Sequence, residues 1–172
     1  CPSAVSVSTA SGSCGASVTL SLPAASDNSG SVSLSNNAPA NGYYPLGTTI
    51  VTWTATDAHG NSASCNQSVT VVDHTAPSFS AMASDYEAEC DGAGNSAELN
   101  AWLASHGGAS ASDNCSGVTW SDDFDGLVNN GCGLGGSTLV TFTATDAAGN
   151  SSTTSASFII HDSTGPAMTA AS

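Results

Sequence analysis

The chain contains no lysine and no arginine among its 172 residues, and its 14 aspartates and glutamates give a net charge of −14. Proteins that bind nucleic acid neutralise phosphates with lysine and arginine. Phosphoryl-transfer enzymes hold phosphates with the same two residue types. The missing cations therefore argue against a nucleic-acid partner and against a phosphate-binding active site.

Long apolar segments are also missing. No run approaches the roughly 20 apolar residues of a membrane-spanning helix, so we expect no direct membrane insertion. The six cysteines include no C-x₂₋₄-C pair of the kind found in structural zinc sites. They therefore indicate disulfides formed in an oxidising compartment, and we expect an extracellular, secreted protein at a cell surface.

An internal repeat organises the chain. Residues 47–64 and 136–153 are identical at 12 of 18 positions, with an offset of 89. The segment 73–77 recurs at 162–166 with the same offset. We therefore predict two homologous units and the start of a linker to a following repeat, at residues 1–74, 75–163 and 164–172.

Each unit has the pattern of short β-strands. Threonine or serine alternates with valine and other apolar residues at 5–8, 17–22, 31–35, 49–56 and 69–72, and glycine, proline, asparagine and aspartate separate these runs. Alternation with period two, interrupted by turn residues, predicts an antiparallel sandwich. The predicted fold class is all-β, with two tandem immunoglobulin-like β-sandwiches.

The second unit departs from this pattern at about 95–106, where we predict one short inserted α-helix. Asn95 with Glu98 three residues later predicts a capping box. Gly107 is expected to end the helix. Three apolar residues at helical spacing are expected to pack on the sandwich: Leu99, Trp102 and Leu103.

Several motifs together resemble the hyalin repeat, a family of immunoglobulin-like domains in extracellular adhesion proteins. They are Cys1-Pro2, residues 44–49 (YPLGTT), residues 51–57 (VTWTATD), Gly60-Asn61 and Ser64-Cys65. The linkers and the Glu-Cys-Asp-Gly segment at 89–92 are similar to tandem arrays in large surface adhesins of Bacteroidota-type bacteria. The resemblance covers nearly all of the first unit and the C-terminal half of the second.

The resemblance implies a disulfide between Cys1 and Cys65. Alternating strand directions also place these two cysteines at the same end of the first unit. The same reasoning places Cys90 and Cys132 together at one end of the second unit, which predicts a second disulfide. Six cysteines allow 15 pairings, so strand direction restricts the choice without reducing it to one.

Cys14 and Cys115 remain after these two pairs. Strand direction places them at the ends of the two units that meet in a head-to-tail string, and we predict a Cys14–Cys115 bond between the units. The alternative is that both are free thiols or pair with neighbouring units. A Cα separation above about 7 Å would exclude the bond.

The carboxylates have no lysine or arginine to pair with, so backbone N–H groups, hydroxyls, water or metal ions must serve instead. Ca²⁺ takes six to eight oxygen ligands of the carboxylate and amide type. We predict a junction Ca²⁺ site formed by Asp73, Asp113, Asn114, Asp146 and Asn150. The equivalent half-site for a preceding unit consists of Asp27, Asn28, Asp57 and Asn61.

Turn formation is the alternative explanation for the same residues. Aspartate and asparagine accept hydrogen bonds from the backbone two residues on, which makes them common in turns. Asp162 would belong to a half-site for a following unit. The acidic segment 122–125 is a second candidate metal site, against which a solvated loop is the simpler interpretation.

No constellation of catalytic residues stands out, and we predict no enzyme activity. The predicted function is a structural repeat segment of a long extracellular filament or adhesin stalk, which spaces or displays an adhesive region. Its partners would be neighbouring repeats of the same chain or filament, with host, surface or glycan ligands bound through other regions. Two alternatives stay open. One is an accessory domain of a secreted carbohydrate-active enzyme, and the other is a glycan- or protein-binding module that uses Tyr43, Tyr44, Trp120 and Phe124.

Overall fold

The structure is a computed structural model that divides into two compact units, Cys1–Thr75 and Ala76–Ser172, which we call unit 1 and unit 2. Each unit combines a four-stranded sheet with a two-stranded sheet. The prediction of two immunoglobulin-like β-sandwiches with one short helix is confirmed. The residues described are 1–28, 30–126, 136–166 and 168.

The four-stranded sheet of unit 1 has the order β1-β6-β5-β3, and β2 pairs with β4 in the second sheet. The strands are β1 (Val5–Ser8), β2 (Gly15–Ser17), β3 (Ser33–Asn36), β4 (Tyr43–Pro45), β5 (Gly47–Thr56) and β6 (Ser62–Val72). The hairpin β5–β6 follows from the alternation of polar residues with buried apolar ones, which include Val51 and Trp53 on β5 and Val69 and Val71 on β6. It pairs antiparallel from Gly47 opposite Val71 to Thr56 opposite Ser62.

The core of unit 1 follows from this alternation, since successive side chains of a strand point to opposite faces. Val51 and Trp53 of β5 and Val69 and Val71 of β6 are buried. Tyr44 on β4 covers them from the second sheet and is only 1% exposed. Burial raises the pKa of the Tyr44 hydroxyl.

Unit 2 repeats the plan with the sheet order β10-β11-β12-β8 and a separate β7–β9 pair. The strands are β7 (Ser78–Ala81), β8 (Tyr86–Glu89), β9 (Ser110–Ser112), β10 (Thr119–Asp122), β11 (Gly136–Thr145) and β12 (Ser151–His161). The core includes Val140, Phe142, Phe158 and Ile160 from the hairpin β11–β12. Hairpin and core lie at the offset of 89 from those of unit 1.

Each unit pairs its last strand with an N-terminal strand in parallel. In unit 1, β1 runs beside β6 from Val5 opposite Val69 to Ser8 opposite Val72. In unit 2, β8 runs beside β12 from Tyr86 opposite Phe158. The equivalent register in both units shows that the repeat extends to the N-terminal strands, whose sequences differ.

One predicted strand is shorter than its sequence pattern. Alternation at 17–22 predicts a strand, but β2 ends at Ser17. Its partner β4 begins at Tyr43, directly after Gly42, whose φ of 68° turns the chain. The pairing partner therefore ends at that point, and a single backbone hydrogen bond from Val18 N to Gly42 O (2.9 Å) continues the contact.

The inserted helix α1 spans Ser96–Ala104, which is shorter than the predicted 95–106. Leu99 and Trp102 are buried in the core, and Leu103 packs against it, so the predicted apolar face is confirmed. A 3₁₀ turn follows at His106–Gly108.

Gly107 does not end the helix as predicted. It lies in the 3₁₀ turn with a φ of 64°, where an added Cβ would come within 3.0 Å of Phe142 Cε2 and 3.1 Å of Ala83 Cβ. Glycine at this position therefore serves both backbone conformation and close packing.

The predicted capping box is wrong. Asn95 occupies the N-cap position but has left-handed backbone angles and makes no side-chain capping hydrogen bond. Its side chain is buried and turned toward the preceding loop, where Nδ2 donates to Glu89 O (2.8 Å) and Oδ1 accepts from Asp91 N (3.3 Å). Asn95 thus connects β8 to the helix through hydrogen bonds from its buried side chain to the backbone of the preceding loop.

Candidate functional site

The turn between β5 and β6 is closed by Asp57. Its Oδ1 accepts hydrogen bonds from His59 N (2.8 Å) and Asn61 N (2.9 Å), and its Oδ2 accepts from Asn61 Nδ2 (2.8 Å). These bonds, above all the one from the Asn61 side chain, hold the pKa of Asp57 below its ordinary value. Gly60 supplies the positive φ of 88° that the turn requires.

The turn between β11 and β12 has the same construction. Asn150 N donates to Asp146 Oδ1 (2.8 Å), and Asn150 Nδ2 donates to Asp146 Oδ2 (2.8 Å). Desolvation acts to raise the pKa of Asp146, but the hydrogen bonds from Asn150 and nearby backbone N–H groups outweigh it and lower the pKa. Turn formation therefore accounts for the spacing of Asp and Asn in both units.

The unit 1 half-site stays a prediction, although three of its four residues lie close together. Asp27, Asp57 and Asn61 line one cavity of about 200 Å³. Asn28 lies exposed next to Asp27 and is not among the lining residues. Three of the four predicted residues therefore meet, and their oxygens are of the hard type that Ca²⁺ prefers.

In unit 2 the loop after β9 lies against the turn of Asp146. Asp113 Oδ1 accepts from Cys115 N (2.8 Å) and Ser116 N (3.1 Å), and Ser116 Oγ accepts from Ala147 N (3.0 Å). The other carboxylate oxygen of Asp113, Oδ2, is shielded from solvent and has no hydrogen-bond partner among the described residues. An ionised oxygen without water or a donor is costly, which fits a position that a cation would complete.

The remaining predicted ligands also take part in local contacts. Asn114 Nδ2 lies 3.0 Å from Cys115 Sγ. Asp73 Oδ1 accepts from Thr75 N (2.9 Å), and Asp162 Oδ1 accepts from Thr164 N (3.0 Å). The predicted junction site needs Asp73 from unit 1 together with residues of unit 2, and it stays a prediction.

The cysteines support one of the three predicted bonds. Cys1 and Cys65 form a disulfide with a Cα separation of 5.7 Å. Cys132 lies outside the described residues, so the Cys90–Cys132 bond stays a prediction. The Cys14–Cys115 bond between the units stays a prediction as well.

Most of the aromatic residues proposed for a binding module are buried or packed against other side chains. Tyr44 is buried, and Trp120 stacks on His106 with ring centroids 4.3 Å apart. Tyr43 is 38% exposed, and its hydroxyl hydrogen-bonds to Ser13 Oγ (2.9 Å). Phe124 packs against the core of unit 2. These four residues do not form a shared exposed surface.

Two aspartates of the acidic segment 122–125 accept hydrogen bonds from backbone N–H groups. Asp122 Oδ1 accepts from Phe124 N (3.2 Å), and Asp123 Oδ1 accepts from Thr141 N (2.7 Å). These hydrogen bonds favour the simpler interpretation of an ordered acidic loop.

The sequence did not predict the group of polar side chains around the Glu89 carboxylate. Glu89 accepts from Ser163 N (2.8 Å), Ser163 Oγ (2.8 Å) and Thr164 Oγ1 (3.0 Å), and it lies 3.5 Å from His161 Nε2. The hydrogen bonds from Ser163 lead in lowering the pKa of Glu89. The parallel register of β8 and β12 brings Glu89 opposite His161, and this pairing is the only signal that would have identified the cluster.

Comparison with known proteins assigns the first unit. Residues 1–71 match the HYR (hyalin repeat) domain family. The match covers nearly all of unit 1. The match confirms the resemblance read from the sequence, and the repeat at offset 89 relates unit 2 to the same fold.

Solved structures similar to the chain are protocadherin extracellular regions. Protocadherin gammaB7 EC3-6 is 17% identical with a TM-score of 0.34, over 80% of this chain and 43% of that one. Protocadherin gamma B2 domains 1-5 is 14% identical with a TM-score of 0.34, over 81% and 35%. Human protocadherin-24 EC1-2 is 12% identical with a TM-score of 0.32, over 77% and 83%. The chain therefore spans less than half the length of the first two, and similarity at this level carries no information on its ligands.

The HYR match over residues 1–71 indicates an extracellular repeat module of the adhesion type. In the part of the chain that the structure describes, no helix has the length and apolar character needed to cross a bilayer.

Proposed function

We propose that the chain is a load-bearing, non-catalytic repeat segment of a long extracellular filament or adhesin stalk. The observation that carries this proposal is the parallel pairing of an N-terminal strand with the last strand in both units. When a unit is pulled at its two ends, such strands slide along each other. Every hydrogen bond between them then bears load together, whereas strands pulled apart from one end would lose their bonds one at a time.

The disulfide of unit 1 supports a mechanical role. Cys1 lies four residues before β1 begins, and Cys65 lies four residues before Val69, the partner of Val5. Force that enters at Cys1 passes through the disulfide into β6 and bypasses the 64-residue separation between the two cysteines. In unit 1 the hydrogen bonds between β1 and β6 would therefore bear load only after the disulfide is reduced, whereas in the described part of unit 2 the β8–β12 bonds would bear it directly. Because β6 is already extended, an oxidised unit 1 would lengthen little under tension.

Force spectroscopy on the chain, held at both termini, tests this proposal. In oxidising buffer, unit 1 is expected to give no large extension. Reduction, or the variant Cys65→Ser, should add a step of about 22 nm, because 64 residues are released at roughly 3.5 Å each. The same step in the oxidised protein, or its absence after reduction, would contradict the proposed force path.

We infer further that Ca²⁺ binds at the ends of the units. The support is the shielded oxygen of Asp113, the three half-site residues that share a cavity in unit 1, and a chain with no lysine or arginine to neutralise its carboxylates. Asp113 and Asp146 would hold one ion at the end of unit 2, and Asp27 and Asp57 would hold another at the equivalent end of unit 1. Bound Ca²⁺ would supply the positive charge that these oxygens lack.

Calorimetry in EDTA and across a Ca²⁺ titration tests the metal site. A hundredfold excess over Kd should stabilise the folded protein by about 3 kcal/mol. Asp113→Asn should abolish the effect on unit 2, because it removes the carboxylate charge that would bind the ion while Oδ1 can still accept the turn hydrogen bonds. Glu87→Gln removes the same charge from an exposed strand position and should leave the response intact. An unchanged melting temperature up to millimolar Ca²⁺ would assign these aspartates to turn formation alone.

A further inference from the structure

Unit 2 contains a cavity of about 440 Å³ beside the inserted helix. Its volume falls in the range of roughly 300–1,000 Å³ typical of ligand pockets. In the described part of unit 1 there is no helix, so the cavity belongs to the insertion and not to the shared fold. The lining residues are Tyr86, Ala97, Glu98, Ala101, Trp102 and Ser105.

The acidic group of the cavity is Glu98. Its Oε2 is shielded from solvent and has no hydrogen-bond partner among the described residues. A carboxylate with one oxygen cut off from water and from donors is poorly solvated. Because Glu98 lines the cavity, a positive charge bound there would lie near this carboxylate and compensate its charge.

Two aromatic rings form the rigid part of the wall. Tyr86 stacks on Phe158 with centroids 5.3 Å apart, and Trp102 packs on the same ring at 5.6 Å. Trp102 Nε1 donates to Ser84 O (3.2 Å), which holds the indole in place. Tyr86 is 41% exposed, so part of its ring stays available to a ligand.

We infer that this cavity is a binding site for the alkylammonium group of a lysine side chain carried by a partner protein. The exposed part of the Tyr86 ring can attract a cation, and Glu98 supplies the opposite charge. Ala97 and Ala101 offer an apolar surface for the methylene chain. With one Glu98 oxygen shielded, the carboxylate does not present the pair of acceptors that an arginine fork matches, so a compact ammonium fits better.

The charge of the chain restricts the partner. A second copy of these 172 residues has no lysine to offer, so the occupant comes from a different sequence. A net charge of −14 would also attract a lysine-bearing surface over a longer range. The inference does not depend on the load-bearing role or on Ca²⁺.

NMR titration of the intact chain with the peptide acetyl-Gly-Lys-Gly-amide tests the inference. Shift changes are expected at Tyr86, Glu98 and Trp102. Glu98→Gln should weaken binding at least tenfold, and Tyr86→Ala should weaken it about two- to fivefold. Glu87→Gln is the matched control, since it removes the same charge from the opposite face of β8 and should change binding less than twofold.

Three results would overturn the inference. They are the absence of binding to the intact chain, equal binding of the peptide acetylated on the lysine Nζ, and unchanged binding by a folded Glu98→Gln variant. Tighter binding of n-butylamine than of the peptide would assign the cavity to small amines and reject a protein partner. The melting temperature of each variant shows whether a loss of binding reflects unfolding.

Discussion

Unit 1 and unit 2 link their last strand to the N-terminal part of the unit by different chemistry at the same place. In unit 1, Cys65 on β6 is bonded to Cys1. The equivalent residue of unit 2 is Thr154, whose Oγ1 accepts a hydrogen bond from Ala83 N (3.1 Å). Both links precede the parallel strand pair, so the fold needs a connection there and accepts either a covalent bond or a hydrogen bond.

The hairpin cores of the two units differ at two contacting positions, which are polar partners in unit 1 and apolar in unit 2. In unit 1, Trp53 Nε1 donates to Gln67 Oε1 (2.9 Å), and Gln67 Nε2 donates to Ser3 O (2.8 Å), with both side chains buried. The equivalent residues of unit 2 are Phe142 and Ala156, which are apolar. A buried donor and its acceptor have thus been replaced together, as expected when an unpartnered polar group would be costly.

The cover over the hairpin differs as well. Unit 1 uses Tyr44 from the second sheet, and unit 2 uses Trp102 from α1, which packs edge-on to Phe142 at 5.3 Å. The comparison shows that the hairpin is the common element, and that each unit completes its core with an aromatic side chain from a different source.

The largest expected effect comes from replacing the disulfide of unit 1. The double variant Cys1→Ala, Cys65→Thr gives unit 1 the residue that unit 2 has at this position. Loss of a cross-link spanning 64 residues should destabilise unit 1 by about 4 kcal/mol. Calorimetry should show the unit 1 transition moving and the unit 2 transition unchanged. An equal shift of both transitions would mean that the units do not unfold independently.

The second effect concerns the Trp53–Gln67 pair. Gln67→Ala leaves the buried indole N–H without an acceptor and opens a cavity, which should cost about 3 kcal/mol. Adding Trp53→Phe reproduces the apolar pair of unit 2 and should cost at least 1 kcal/mol less than the sum of the single changes. Chemical denaturation of all four proteins measures this coupling, and strict additivity would refute it.

The third effect concerns the turn after α1. Gly107→Ala imposes a side chain at a φ of 64° and against Phe142, so it should destabilise unit 2 by about 2 kcal/mol. Gly92→Ala is the control, because its φ is 75° but nothing lies within 4 Å of the added Cβ. It should cost about half as much. Equal losses of stability in the two variants would show that backbone strain alone explains the need for glycine at position 107.

The smallest effect is the pH dependence of the two Asp turns. The pKa values of Asp57 and Asp146 are lowered in the folded protein, so both contribute stability above the ordinary aspartate value of 3.8 and lose it as pH falls through the lower folded value. Thermal melts between pH 6 and pH 2 should decline for both units. Asp57→Asn should flatten the decline for unit 1 only, and an unaltered slope would mean that this turn does not contribute.

Local patterns were sufficient to predict strand β5 and the inserted helix. Alternation along 49–56 predicted β5, and the helical spacing of Leu99 and Trp102 predicted α1 with its buried face. These predictions succeed because periodicity is a property of neighbouring residues. The strand predicted at 17–22 was too long, because the end of β2 depends on where its distant partner β4 begins.

The sequence by itself therefore determined the two-fold repeat, the all-β class and the HYR character of unit 1, since identity at a fixed offset needs no knowledge of contacts. Tertiary structure alone decided which groups hydrogen-bond to Asn95 and to Glu89, and which side chains line the cavity at Glu98. Each of these depends on groups that are distant along the chain or on atoms withdrawn from water. Burial and long-range pairing change the free energy of a polar group by more than its local propensity does.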